Sequence, residues 1–173
     1  KEGRWAIVTV SNWLEEDVII CGMYASCEQK EREIWMEDME KRMLGREGYR
    51  MMVGDLNFVM DTQWDKVGGN KKNGLRGKKQ QESWEENLGV RDVWRERNPN
   101  TVGTTWEERG NNKRKKVRTR IDRWLIDKRL EEEGKVGEID IDRTRTSDHD
   151  MVRCQIVIKE GAEGAAMREH QEQ

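Results

Sequence analysis

Cysteine, histidine and proline are all scarce in this sequence, with three, two and one copies. Cys21, Cys27 and Cys154 form an odd set with no Cys-x-x-Cys pair, and two of them lie inside apolar runs. They read as buried thiols in a reducing compartment. Together with His149 and His170 they match no zinc module. The chain also lacks G-x-x-x-x-G-K-[ST], G-x-G-x-x-G, G-x-S-x-G and H-E-x-x-H. That argues against nucleotide-loop, dinucleotide, serine-hydrolase and zinc-protease chemistry. No signal peptide and no transmembrane run is visible, so no membrane partner is expected.

What is present points to one domain. The chain has 173 residues, 34% hydrophobic and 39% charged, a polar balance that leans toward disorder. Eight tryptophans argue for folding, because each can bury a large apolar area. A thin, Trp-rich core follows. The net charge of −2 says nothing about partners, but its distribution does. Arg109 to Arg120 carries seven basic residues and no acid: Arg109, Lys113, Arg114, Lys115, Lys116, Arg118 and Arg120. Lys66 to Lys79 is basic too, while acids gather at 28–40 and 131–142. A basic loop can meet a phosphate backbone or simply be solvated.

Trp5 to Val10 and Val18 to Tyr24 are unbroken β-branched runs, which predicts strands covered on both faces and joined by a hairpin-like link. Glu28 to Gly45 places Trp35, Met39 and Met43 on one helical face. Met51 to Val53 predicts a third strand, and Lys79 to Leu88 a short helix closed by Gly89. Asn98-Pro99-Asn100 is a turn. Short strands are expected at Thr104–Trp106 and Thr119–Ile126. Alternating strands carry Ile139 and Ile141, then Val152, Cys154, Ile156 and Ile158. Residues 159–173 read as a polar tail. The pattern is a layered α/β protein with a mixed sheet and about two helices.

Polar groups recur at the ends of these strands: Tyr24, then Asp55 and Asn57, Asp122, and finally Ser147-Asp148-His149. Binding groups favour such loops. Asp55 and Asn57 also fit a plain Asx turn. Asp122 shares a strand face with Trp124 and Ile126, so it needs a partner, either His or Arg. An Asp122–His149 pair would fix the imidazole tautomer and favour its protonation near a phosphate. Clustered carboxylates without Cys or His pairs suit Mg2+ or Mn2+.

Three motifs, G-D-L-N, R-I-D-R-W-L-I and S-D-H, stand in that order at strand ends. The set resembles the endonuclease/exonuclease/phosphatase superfamily. V-I-I-C-G-M-Y-A-S and L-G-V-R-D-V-W-R-E-R-N-P followed by T-T-W resemble, more closely, the apurinic-type endonuclease domain of LINE-type non-LTR retrotransposons. The resemblance covers residues 1–158. It implies a four-layer α/β sandwich of two packed mixed sheets flanked by helices, and Mg2+- or Mn2+-dependent phosphodiester hydrolysis of DNA. By motif, Asp55 would activate or orient the water and Asn57 would position it and bind phosphate. His149, held by Asp122, would stabilise phosphoryl charge. Tyr24 would touch the phosphate and Asp148 would support the metal. Thr105 and Ser147 would contact DNA or brace the site, and the basic residues 109–120 would bind the nucleic acid. The resemblance further implies a monomeric domain within a longer polyprotein that includes reverse transcriptase, acting inside the cell and in the nucleus.

The sequence departs from that family in two places. The strand bearing W-N-x-x-G-L and the strand bearing the principal metal-binding Glu are expected before Tyr24, and neither is present. Ser26 stands where Pro is usual. The expectation is a domain without its opening segment and with impaired hydrolysis. The alternatives are a nucleic-acid-binding remnant without catalysis, or a phosphatase of the same superfamily.

Overall fold

A computed structural model describes residues 4–70, 77–108, 116–144 and 146–158. The expected tail at 159–173 and four of the basic residues (Arg109, Lys113, Arg114 and Lys115) lie outside the described residues.

The first part of the chain folds as β1 (Arg4–Val10), β2 (Val18–Tyr24), α1 (Gln29–Leu44) and β3 (Tyr49–Asp55). Next come β4 (Lys66–Val67), α2 (Lys78–Leu88), β5 (Val90–Asp92), α3 (Val93–Arg97) and β6 (Trp106–Glu107). Last are β7 (Arg118–Thr119), β8 (Asp122–Asp127), α4 (Lys128–Glu132), β9 (Val136–Asp142) and β10 (Met151–Ile156). Among the described residues, the helices α3 and α4 and the strands β4 and β5 were not foreseen. Each is too short to show a period.

The main sheet has the order β1-β2-β3-β8-β5 and is mixed. β2 and β3 run parallel because α1 carries the chain back to its starting edge. β1 and β8 pair antiparallel with their neighbours. One face of this sheet is covered by α1 and α2. There Trp35, Met39 and Met43 meet Met52, Leu125 and Trp84 in one buried cluster. Full burial of such side chains is worth about 1.5–3 kcal/mol each. The Trp84 indole also donates to the Met36 carbonyl at 3.0 Å, which locks α2 to α1. The opposite face packs Val18, Met51, Ile126 and Trp94 against Val136 and Ile139 of the β9–β10 pair. Two packed sheets with flanking helices are what the resemblance implied. Within the described residues the second sheet is an antiparallel pair rather than mixed. A third small sheet, β4-β7-β6, sits at the rim.

β1 departs from expectation. It is mostly exposed, including Trp5 and Val8, because among the described residues it is the edge strand and pairs with β2 alone. Its apolar run records strand propensity rather than burial on both faces. Among the described residues no helix is long and apolar enough to cross a membrane.

Gly54 sets the spacing at the functional end of the sheet. Its φ is +149°, and a Cβ built there would lie 1.8 Å from the Met23 carbonyl oxygen. Only glycine lets β3 lie this close to β2 just before Asp55. Gly54→Ala is therefore expected to cost more than about 3 kcal/mol in urea unfolding, and a loss below about 1 kcal/mol would contradict the close approach.

Candidate active site

The topology brings three strand ends to one place. In the parallel β2–β3 register Tyr24 lies opposite Asp55, and in the antiparallel β3–β8 register Asp55 lies opposite Asp122. β6 adds the fourth element, since Trp106 forms a bridge with His149. Thr105 to Glu107 and the 148–150 turn are stitched together by Glu107 N–H to the Asp148 carbonyl at 2.9 Å and Asp150 N–H to the Thr105 carbonyl.

Asp55, Asp122 and His149 converge so closely that one ligand atom from each lies within 4.8 Å of the others. His149 Nδ1 lies 3.0 and 3.2 Å from the two Asp122 carboxylate oxygens, which leaves Nε2 for a ligand. The Asp55 carboxyl is 9% exposed and is pushed up to about 6, first by burial and then by the Asp122 charge. The Asn57 N–H donated to it at 2.7 Å, with His149 and Arg123, only partly offsets that rise.

Asn57 closes the turn with φ +48°, a region that Asn tolerates better than most residues. Its amide Nδ2 donates to the Ala25 carbonyl at 2.9 Å, so the G-D-L-N loop is tied to the loop after β2. The Asx turn considered for Asp55 and Asn57 is therefore real, and it lies within the cluster rather than replacing it. Tyr24 is 47% exposed at the same sheet end, with Arg4 over its ring.

Several candidates fall elsewhere. Thr105 is fully buried, and its hydroxyl accepts from both Ile121 N–H and Asp122 N–H at 3.0 Å. It braces the strand that carries Asp122 and has no surface with which to touch DNA. Ser147 is exposed, and its hydroxyl accepts the His149 N–H at 3.0 Å. Asp148 does not join the Asp55–Asp122–His149 group. Asp148 borders a separate cavity with Arg118 and Arg143. Lys116 is paired with Glu107.

Arg120 is the clearest correction. It is 1% exposed, donates to Asp65 at 2.7 Å, and grips Asp92 with two donors at 2.7 and 3.0 Å. Its charge serves the interior rather than a nucleic acid. Burial pushes the Asp65 carboxyl up, but Arg120, Arg123 and Arg95 together hold it below the usual carboxylate range.

Two buried arginines that hold the site loops were missed. Arg32 is buried at the start of α1 and donates to the carbonyls of Ser26, Cys27 and Asn57 at 3.0, 3.3 and 3.4 Å. It also stacks on Phe58, so it clamps both site loops. A charged residue on the stripe of Trp35, Met36 and Met39 was the available signal. Arg123, also buried, donates to the Phe58 carbonyl at 2.8 Å.

No family model matches this chain, and no curated protein does. Solved structures do. The likeness is one of fold, to solved nucleases and a phosphatase. The endonuclease domain of TRAS1, a telomere-specific non-LTR retrotransposon, superposes with a TM-score of 0.64 at 14% identity. That match covers 90% of this chain and 64% of that one. A Neisseria 3′ phosphatase, NExo, bound to a product DNA hairpin gives 0.66 at 21% identity, covering 89% and 65%. An AP endonuclease from Archaeoglobus fulgidus gives 0.64 at 15%, covering 82% and 62%. The chain thus spans slightly less than two thirds of these structures.

Two stability measurements test the charge arrangement. Folded chains hold the Asp55 proton up to about pH 6, whereas unfolded chains release it near 3.8. The folded state therefore binds more protons across that window, and stability falls as pH rises through it. Asp55→Asn removes this dependence: urea unfolding is expected to show the variant about 2–3 kcal/mol more stable at pH 7.5 and nearly equal at pH 4. Equal stability at pH 7.5 would refute the shift. Arg120→Ala leaves Asp65 and Asp92 without their main partner and is expected to lose about 3–5 kcal/mol.

Proposed function

We propose that this chain is a divalent-metal-dependent phosphodiesterase acting on DNA, of the retrotransposon endonuclease kind. The observation that carries the reading is the convergence of Asp55, Asp122 and His149 at one sheet end within a nuclease-type fold.

The donor set suits a hard divalent ion. It offers two carboxylates and an imidazole, and a cation would relieve the conflict between Asp55 and Asp122. Asp55 and Asp122 would hold the ion, with His149 turned toward Asp122. When bound, Mg2+ or Mn2+ supplies charge neutralisation at the phosphate and acidifies water. Asp55 orients the attacking water and accepts its proton. Asn57 fixes the turn that aims Asp55. His149, held by Asp122, would as the imidazolium donate its Nε2–H to the phosphoryl oxygens as negative charge develops. The Tyr24 hydroxyl adds a donor from the neighbouring strand. On this reading the partner is DNA, and the domain works in the nucleus beside a reverse transcriptase on a longer polyprotein.

A second reading, nucleic-acid binding without hydrolysis, is favoured by one observation: one of the only two carboxylates in the cluster is already engaged by His149. A supercoiled-plasmid assay separates the two. With Mg2+ present, single-strand nicks are expected, reduced by roughly 100-fold or more in Asp55→Ala and His149→Ala. Nicking that survives both substitutions would sink the catalytic assignment. Salt-sensitive DNA binding with no nicking at high Mg2+ would establish the second reading. Faster hydrolysis of a small phosphomonoester than of DNA would move the substrate to a phosphatase class.

A further inference from the structure

Arg32 stands where stability alone would not put a cation. It ends the first turn of α1, near the positive end of the helix dipole, on a stripe otherwise filled by Trp35, Met36 and Met39. It is buried, and among the described residues its guanidinium makes no ion pair. An apolar side chain in its place would avoid the cost of desolvating a charge. What the charge meets instead is a set of backbone carbonyls and the face of Phe58.

Those carbonyls belong to the two loops that carry the site. Ser26 and Cys27 follow Tyr24 after β2, and Asn57 follows Asp55 after β3. The loops touch each other through the Ala25 N–H, which donates to the Asp55 carbonyl at 2.8 Å, and through Asn57 Nδ2 on the Ala25 carbonyl. Arg32 spans this joint from a single nitrogen, Nη1, which donates to both loops. From the other side, Arg123 of β8 holds the next carbonyl, that of Phe58. Successive carbonyls of the turn are thus each held by a guanidinium. Asn57 keeps its positive φ inside that grip, a conformation that persists only where its surroundings hold it.

We infer that Arg32 is a positioning residue: without touching substrate, it fixes the spacing between Tyr24 and Asp55 by holding both of their loops. Its effect on rate rests on the proposed reaction; its effect on the loops does not. Removing it loosens residues 25–27 and 55–58 while the sheet stays closed. Turnover then falls more than KM rises, because geometry is lost at the reacting atoms while most of the binding surface is kept.

The test is amide hydrogen exchange of the 173-residue chain, read by NMR, beside cleavage of a labelled DNA duplex with Mg2+. In Arg32→Met the Ala25 and Asn57 amides, which donate to the Asp55 carbonyl and carboxylate, are expected to exchange on the order of tenfold faster or more, with the amides in the middle of β3 unchanged. The kcat should fall on the order of 10- to 100-fold and KM should stay within about twofold. Arg32→Lys keeps the charge but not the planar fork or the stacking; it is expected to show the same pattern, and it carries the test if Arg32→Met does not fold. Arg50→Met is the control, since Arg50 also donates to carbonyls, those of Met43 and Arg46, at the far end of β3. It should move neither the Ala25 and Asn57 amides nor kcat. Exchange that rises equally throughout β3, or at neither loop, overturns the inference. So do loosened loops with an unchanged kcat in a chain that cleaves DNA. If the parent chain leaves DNA intact, the hydrolytic reading fails, and the exchange pattern alone decides whether Arg32 holds the loops.

Discussion

The site depends on a buried electrostatic knot. Arg120 joins Asp65, from the segment after β3, to Asp92, at the end of β5, while Arg95 reaches Asp65 from α3. Arg120 and Arg95 both stack on Trp94. One guanidinium thus fixes three segments that hydrocarbon alone would hold loosely in so polar a chain. Directly beyond Arg120 the chain enters β8 at Asp122, whose backbone is further held by Thr105. Buried ion pairs are indifferent contributors to net stability but strongly penalise any arrangement that separates them. The knot therefore specifies where Asp122 stands.

What it specifies is an unfavourable neighbourhood. Asp55 and Asp122 are register partners on adjacent strands, and burial raises the cost of their shared charge. Gly54 and Asn57 add backbone conformations that most side chains resist. The surrounding clamps are correspondingly strong: Arg32 on three carbonyls, Asn57 on Ala25, and His149 on Asp122. Concentrating like charge against a rigid frame is how a protein prepares a place for a cation or for a proton in transit.

Much of this was legible in the residues. The strand ends holding Tyr24, Asp55, Asp122 and His149 could be read because polar groups interrupt apolar runs there, and the α1 stripe because Trp35, Met39 and Met43 recur on one face. Exposure of β1 was not legible, since propensity and burial leave the same β-branched signature and only the sheet order separates them. The placement of Arg120 was hidden by its neighbours. It closes a basic run, yet its partners Asp65 and Asp92 lie far away in sequence. Asp148 stands outside the Asp55–Asp122–His149 group although it is next to His149 in sequence.

The order of the main sheet also bears on how the molecule forms. β1, β2, α1 and β3 are consecutive and can organise locally, but β3 finds its second neighbour only when β8 arrives from far along the chain. Closing such a loop costs entropy before any contact repays it. Asp55 therefore meets Asp122 only where β8 pairs with β3, so the electrostatic conflict at the centre of the site exists only in the fully paired sheet.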